Sequence, residues 1–263
     1  MKIHVLETPA SASIFVARIL AAQVQKKNGS VLGLATGGTM PPVYEELLSI
    51  ARKQRISLTD ISTFNLDEYI GLSPEHPQSY SRFMRHHLFD RIDCDRSRLA
   101  VPRGDSRDPD AEAQRYEAAI KQSGGIDLQL LGLGANGHIG FNEPGASFSS
   151  RTRVETLSED TRLANARFFA HGEIVPSEAI TMGIGTILEA RSIVLLAAGE
   201  SKAPAVRAMI EGPITPDCPA SVLQKHPNVA VVLDAAAAAL LSPSESITHH
   251  GVTPAQPEPT NAS

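Results

Sequence analysis

The chain has 263 residues, of which 42% are hydrophobic and 20% charged, and 24 Lys+Arg stand against 29 Asp+Glu for a formal charge of −5. This composition is that of an ordinary globular protein, one large α/β domain or two small ones, with ample material for a core. No Lys/Arg block, secretory leader or membrane-length apolar run is present, so a cytoplasmic protein without nucleic-acid or membrane partners is expected. The two cysteines, Cys94 and Cys218, fall in no ligand spacing and support neither a disulfide framework nor a zinc site.

Strand and helix signals then alternate. Thr8-Pro9 is an N-cap with proline at the first helical position, and the apolar residues Ile14, Ala17, Ala21 and Val24 recur at helical spacing up to Asn28-Gly29. Val31–Ala35 reads as a short buried strand, followed by the turn Thr36-Gly37-Gly38-Thr39 and a helix from Pro41. Ile61–Leu66 is a strand that runs straight into Asp67-Glu68-Tyr69. Tyr80, Phe83, Met84, His87 and Leu88 form a helical stripe that core packing explains, with no chemistry assigned. Asp108-Pro109 caps a polar helix that closes at Gly124-Gly125, and Ile126–Leu131 is a central strand. Ser192–Ala198 and Val229–Leu233 are further apolar strands flanking a helix over 201–210.

Strands apolar on both faces, alternating with helices, predict a three-layer, Rossmann-like α/β fold whose mainly parallel sheet is covered on both sides. A single domain over 1–241 is expected, with an irregular lid segment over about 145–180 and a disordered polar tail over 242–263. In such folds ligands bind beyond the carboxyl ends of the strands, and the residues there carry the functional reading.

The richest of them is the segment Leu131–Pro144, with glycines at 132, 134, 137 and 140 and the pair His138 and Glu143. An imidazole can move protons near neutral pH, and a nearby carboxylate can orient it. Thr36, Gly37, Gly38 and Thr39 offer backbone N–H groups and hydroxyls at a helix start, a natural anion site. The alternative is a tight turn with Thr39 as N-cap. The segment is neither a Walker A nor a GxGxxG motif. Asp67 is a candidate general base; with Glu68 adjacent, at most one of the two carboxylates should face a ligand. Lys202 at a helix start conflicts with the helix dipole unless an anion is bound, and Arg167 in the irregular stretch is a candidate phosphate clamp. Together these residues describe a site for proton transfer on a phosphorylated small molecule, and nothing in the pattern points to a metal or to a flavin or nicotinamide cofactor.

At these residues the sequence resembles the glucosamine-6-phosphate isomerase (deaminase) family. The matching segments are 34–39, 63–69, 134–144, 150–153, 161–169 and 179–187, in order along the chain. The resemblance implies conversion of glucosamine 6-phosphate and water to fructose 6-phosphate and ammonia, without cofactor or metal. It implies Asp67 as the base that moves the C2 proton, His138 as the acid/base that opens the pyranose ring, Glu143 as its tuning partner and Asn136 as part of that relay. Thr36 to Thr39, Arg167 and Lys202 would hold the phosphate.

Two departures bear on regulation. Some members of that family carry Asp where this chain has Asn136, which implies a shifted pH profile rather than lost activity. In allosterically regulated members a lysine lies two residues beyond the arginine that matches Arg153; here that position is Glu155. An acid there would repel a phosphorylated effector, so activation by N-acetylglucosamine 6-phosphate is not expected, and the hexamer of the regulated members need not carry over: homo-oligomer and monomer both stay open. Two other readings compete. A 6-phosphogluconolactonase shares the glycine-rich GxG…GH turn but calls for an arginine after the acidic pair, where this chain has Tyr69. A sugar-phosphate sensor domain of a transcriptional regulator would carry an N-terminal helix-turn-helix, whereas this chain begins at the α/β domain.

Overall fold

In the computed structural model, which describes residues 1–170 and 172–251, the elements run in the order β1 (Lys2–Leu6), α1 (Pro9–Lys26), β2 (Val31–Leu34), α2 (Met40–Gln54), β3 (Ser62–Asn65), β4 (Asp67–Tyr69), α3 (Tyr80–His87), β5 (Leu99–Ala100), α4 (Pro109–Gln122), β6 (Leu128–Gly132), β7 (Arg153–Thr156), α5 (Glu159–Ala166), β8 (Glu178–Thr181), α6 (Ile184–Leu188), β9 (Ile193–Ala197), α7 (Ala203–Glu211), β10 (Val229–Asp234) and β11 (Ile247–His250). The capping residues read from sequence define the first long helix: Thr8 accepts from the Ser11 N–H, and Ser11 returns a bond to the Thr8 N–H, a capping box.

Eight strands form one sheet in the order β11-β1-β10-β9-β6-β2-β3-β5, and every pairing in it is parallel. The inner strands β2 and β9 are buried at every position, as a sheet covered by helices on both faces requires. From β2 the chain builds outward through β3 to β5; from β6 it builds the other way through β9 to β10. The strand order therefore reverses between β2 and β6, and the crevice at their carboxyl ends is where a doubly wound sheet holds its ligand.

Three elements differ from the sequence expectation. The N-terminal segment, which the sequence pattern leaves without a strand, is β1, inserted between β10 and β11. The lid segment is not irregular: β7 and β8 pair antiparallel, and β8 also pairs antiparallel with β4, giving a second, three-stranded sheet. An apolar cluster joins Phe169 and Val175 of this segment to Tyr69 and Phe141. The polar tail expected from 242 contains β11, which pairs with β1; the polar side chains of Thr248 and His249 are exposed, as an edge strand tolerates. The rest of that tail, 252–263, lies outside the described residues. No described helix is long and apolar enough to cross a membrane.

Candidate active site

The carboxyl end of β2 opens into Thr36–Thr39. Gly37 has φ +102°, a region that L side chains rarely adopt, and this turns the chain so that α2 starts at Met40. Pro41 and Pro42 follow, removing two helix-start donors. The N–H groups of Gly38 and Thr39 donate to no other described residue. Thr39 does occupy the N-cap position, but its side chain makes no capping bond, so its hydroxyl is free to face the crevice.

Asp67 and Glu68 belong to β4, where successive side chains point to opposite faces. Asp67 faces the crevice. Glu68 instead turns to the start of α3 and accepts N–H bonds from Tyr69 (2.9 Å), Tyr80 (2.9 Å) and Ser81 (2.8 Å). The adjacent acids thus diverge: one lines the cavity and the other pins a helix. Burial, with the Glu68 charge beside it, pushes the Asp67 carboxyl up to about 8. Asp67 accepts no hydrogen bond from a described residue that would hold it ionised.

The segment after β6 folds back on itself: Gly137 N–H bonds to the Gly134 carbonyl (3.1 Å), and Gly134 N–H bonds to the His138 carbonyl (2.9 Å). A Cβ at Gly134 would sit 2.4 Å from Cγ, Cδ2 and Cε1 of His138, so bare backbone is the floor on which the imidazole lies. Asn136 ties the turn together, donating from Nδ2 to Glu143 Oε2 (2.8 Å) and accepting the His138 N–H (3.2 Å). His138 Nδ1 lies 3.7 Å from the same Glu143 oxygen, within ion-pair reach but beyond a hydrogen bond, and has no hydrogen-bond partner among the described residues. The second oxygen of Glu143 accepts from the Thr161 hydroxyl on α5. Burial alone would raise the Glu143 carboxyl, but His138, Thr161 and Asn136 pull it down to about 2, so it is an anion throughout the neutral range.

Arg167 is the C-cap of α5, stacked with its guanidinium 4.7 Å from the Phe168 ring centroid. Lys202 ends the short 3-10 turn Glu200–Lys202 after β9 and occupies the N-cap position of α7. Burial, then the Arg167 charge, lowers its ammonium from the usual lysine range. Two cations converging on one crevice repel each other, and a multivalent anion between them would offset that repulsion.

All of Thr36–Thr39, Asp67, Asn136, His138, Arg167 and Lys202 line a single cavity of about 590 Å³, and Glu143 stands behind its His138 wall. Two further residues belong to the site. Tyr80, placed by its spacing in the core stripe, lines the cavity, with its hydroxyl 3.3 Å from that of Tyr69. Thr161 lines it as well. Tyr80 could have been suspected from its position at a helix start; no sequence signal marks Thr161. Among the described residues no group of three or more His, Cys, Asp and Glu side chains is placed to hold a metal ion.

Fold and site together define an α/β protein with a buried carboxyl, a His–carboxylate pair and two cationic side chains in one crevice. The chain belongs to the glucosamine-6-phosphate isomerases/6-phosphogluconolactonase family, whose pattern matches residues 7–232. Over 249 residues it is 52% identical to the glucosamine-6-phosphate deaminase of Cellvibrio japonicus (strain Ueda107), covering 95% of each chain. Its structure superposes with a TM-score of 0.89 on a monomeric glucosamine-6-phosphate deaminase, 48% identical, over 92% of this chain and 100% of the other. The 6-phosphogluconolactonase from Trypanosoma cruzi shares the fold at a TM-score of 0.73, over 92% of this chain and 97% of the other, but only 21% of the sequence. The lactonase alternative is therefore a distant relationship of fold.

Proposed function

We propose that this chain is a glucosamine-6-phosphate deaminase and that the residues brought together in the crevice carry its chemistry. The observation that supports this most directly is the pairing of two separate proton-handling groups, Asp67 and the His138–Glu143 pair, in one cavity with a cationic end. An aldose–ketose rearrangement of a cyclic amino sugar needs both. In this reading the Thr36–Thr39 turn, Arg167 and Lys202 hold the phosphate. His138 takes the proton of the anomeric hydroxyl and delivers one to the ring oxygen, giving the open aldehyde. Glu143, ionised, steadies the imidazolium that forms in passing.

Asp67 then takes the C2 proton as the C1 carbonyl oxygen gains one from solvent, leaving an enolamine, and returns a proton to C1. The product is an imine at C2; water adds to it and ammonia leaves, giving fructose 6-phosphate. A buried carboxyl with a raised pKa is a stronger base than an exposed one, which suits removal of a carbon-bound proton. The oligomeric state and regulation are part of the same proposal. Arg153 is ion-paired with Glu155 and donates to Asn142 Oδ1 (2.9 Å), so its charge is already engaged. We infer that N-acetylglucosamine 6-phosphate does not activate the enzyme and that a monomer can work, as the structurally similar deaminase is monomeric.

The test is stoichiometric release of ammonia and fructose 6-phosphate from glucosamine 6-phosphate with no added metal or cofactor, on a hyperbolic rate curve unchanged by N-acetylglucosamine 6-phosphate. Folded protein that binds the sugar phosphate without turnover would overturn the deaminase reading. A sigmoidal curve made hyperbolic by N-acetylglucosamine 6-phosphate would overturn the regulatory part alone.

A further inference from the structure

Glu143 is held from two sides, and the residue expected to hold it does not. One carboxylate oxygen accepts from Asn136 at 2.8 Å, while His138 Nδ1 stands off at 3.7 Å without a hydrogen-bond partner among the described residues. The other oxygen is taken by the hydroxyl of Thr161, which is itself buried. Thr161 comes from the lid, not from the turn that carries Asn136, His138 and Glu143.

The hydroxyl is not needed by its own helix. Ser158 is the N-cap of α5 and already accepts the Thr161 N–H at 3.1 Å. This leaves the side chain free for Glu143, its one hydrogen-bond partner among the described residues. The far end of the same helix carries Arg167 as its C-cap, at the cavity. A helix of this length is a rod about 12 Å long. His138 Nδ1 and Glu143 Oε2 need to close by only about 0.7 Å to come into hydrogen-bond range.

We propose that Thr161 is a positioning residue: through its hydroxyl the lid helix sets the carboxylate of Glu143 against His138, so that seating of the phosphate at one end of α5 and readiness of the ring-opening pair at the other are joined. This rests on the deaminase reading above. The experiment compares steady-state kinetics of the full chain with Thr161→Val and Thr161→Ser, with Thr161→Ala as a second removal of the hydroxyl should the valine variant not fold.

Thr161→Val is expected to lower kcat about tenfold or more with KM within twofold, and Thr161→Ser to stay within threefold of the unsubstituted enzyme. A merely structural role would not separate kcat from KM in this way and would not be rescued by serine. Unchanged kcat in the valine or alanine variant, equal loss in the serine variant, or a rise in KM as large as the fall in kcat would overturn the inference while leaving the deaminase reading standing. Absence of turnover by the unsubstituted protein would overturn both.

Discussion

Replacing Gly134 by alanine tests whether the backbone floor beneath His138 matters for catalysis. The added methyl would lie 2.4 Å from three carbons of the imidazole. Carbon atoms in contact sit about 3.5–4.0 Å apart, so the ring must move by about 1 Å or more. Backbone conformation raises no objection, because Gly134 is not among the glycines with positive φ. His138 is about one-quarter exposed, so the ring has room to swing outward instead of straining the core. A displacement of about 1 Å in a proton-transfer group costs on the order of 10²-fold in rate, or about 2.7 kcal/mol in the barrier. The expected result is a fall of that size in kcat/KM for glucosamine 6-phosphate, with a thermal melting temperature equal to that of the parent or slightly higher, since Gly→Ala at a compatible site removes unfolded-state entropy. A variant that keeps kcat/KM within threefold of the parent would refute the placement of His138 over Gly134 as a catalytic requirement.

Asp67→Asn should abolish exchange of the C2 proton with solvent deuterium while leaving sugar-phosphate binding intact; full exchange would show that another group is the base. The same substitution has a stability signature. With a folded-state pKa of about 8 against an unfolded value of about 3.9, folded Asp67 keeps a proton that the unfolded chain has lost between those limits, so its burial lowers stability as pH rises through that window. Asn removes this penalty, and denaturant melts should show the variant more stable by a few kcal/mol at pH 8 and equal to the parent near pH 4; a difference that does not grow with pH would contradict the assignment. Glu112→Gln tests the opposite sign. That carboxylate is buried and accepts from Arg103 and Arg115. Burial alone would raise it, but those bonds bring it down to about 2. Because both guanidinium groups are about half exposed, a cost of roughly 1–3 kcal/mol is expected at pH 7. That contribution should fade as pH falls from about 4 toward 2, and urea melts that show a constant difference across this range would argue against it.

The alternation of apolar strands with capped helices was legible because each signal is local: the capping box at Thr8, the prolines at helix starts and the apolar runs of β2 and β9 need no partner to be recognised. What was not legible depends on partners far along the chain. β4, β7 and β8 are three or four residues long and include charged residues; only their mutual pairing makes them a sheet. β11, with the sequence Ile-Thr-His-His, reads as tail until β1 offers it an edge. The same division holds at the site. Asp67, His138 and the Thr36–Thr39 turn sit at strand ends, where composition and position together mark them. Tyr80 hides in a helical stripe that serves the core at Met84 and the cavity at Tyr80, and Thr161 acquires its importance from a contact with Glu143, eighteen residues away in sequence.

The place of β1 in the sheet has a consequence for how the molecule is made. This strand is made before every other strand of the sheet, yet both of its neighbours come late in the sequence: Ile3 is in register with Val231 of β10 and Ile247 of β11. At synthesis rates of about 5–20 residues per second, roughly 10–45 s separate its emergence from that of its first partner. During that interval β2, β3, β5 and β6 can assemble the Thr36–Thr39 turn, Asp67 and the His138 segment, while the first strand waits with both edges unpaired. Newborn chains should therefore be vulnerable at β1 until the last strands emerge, a liability that a chaperone holding that strand would relieve.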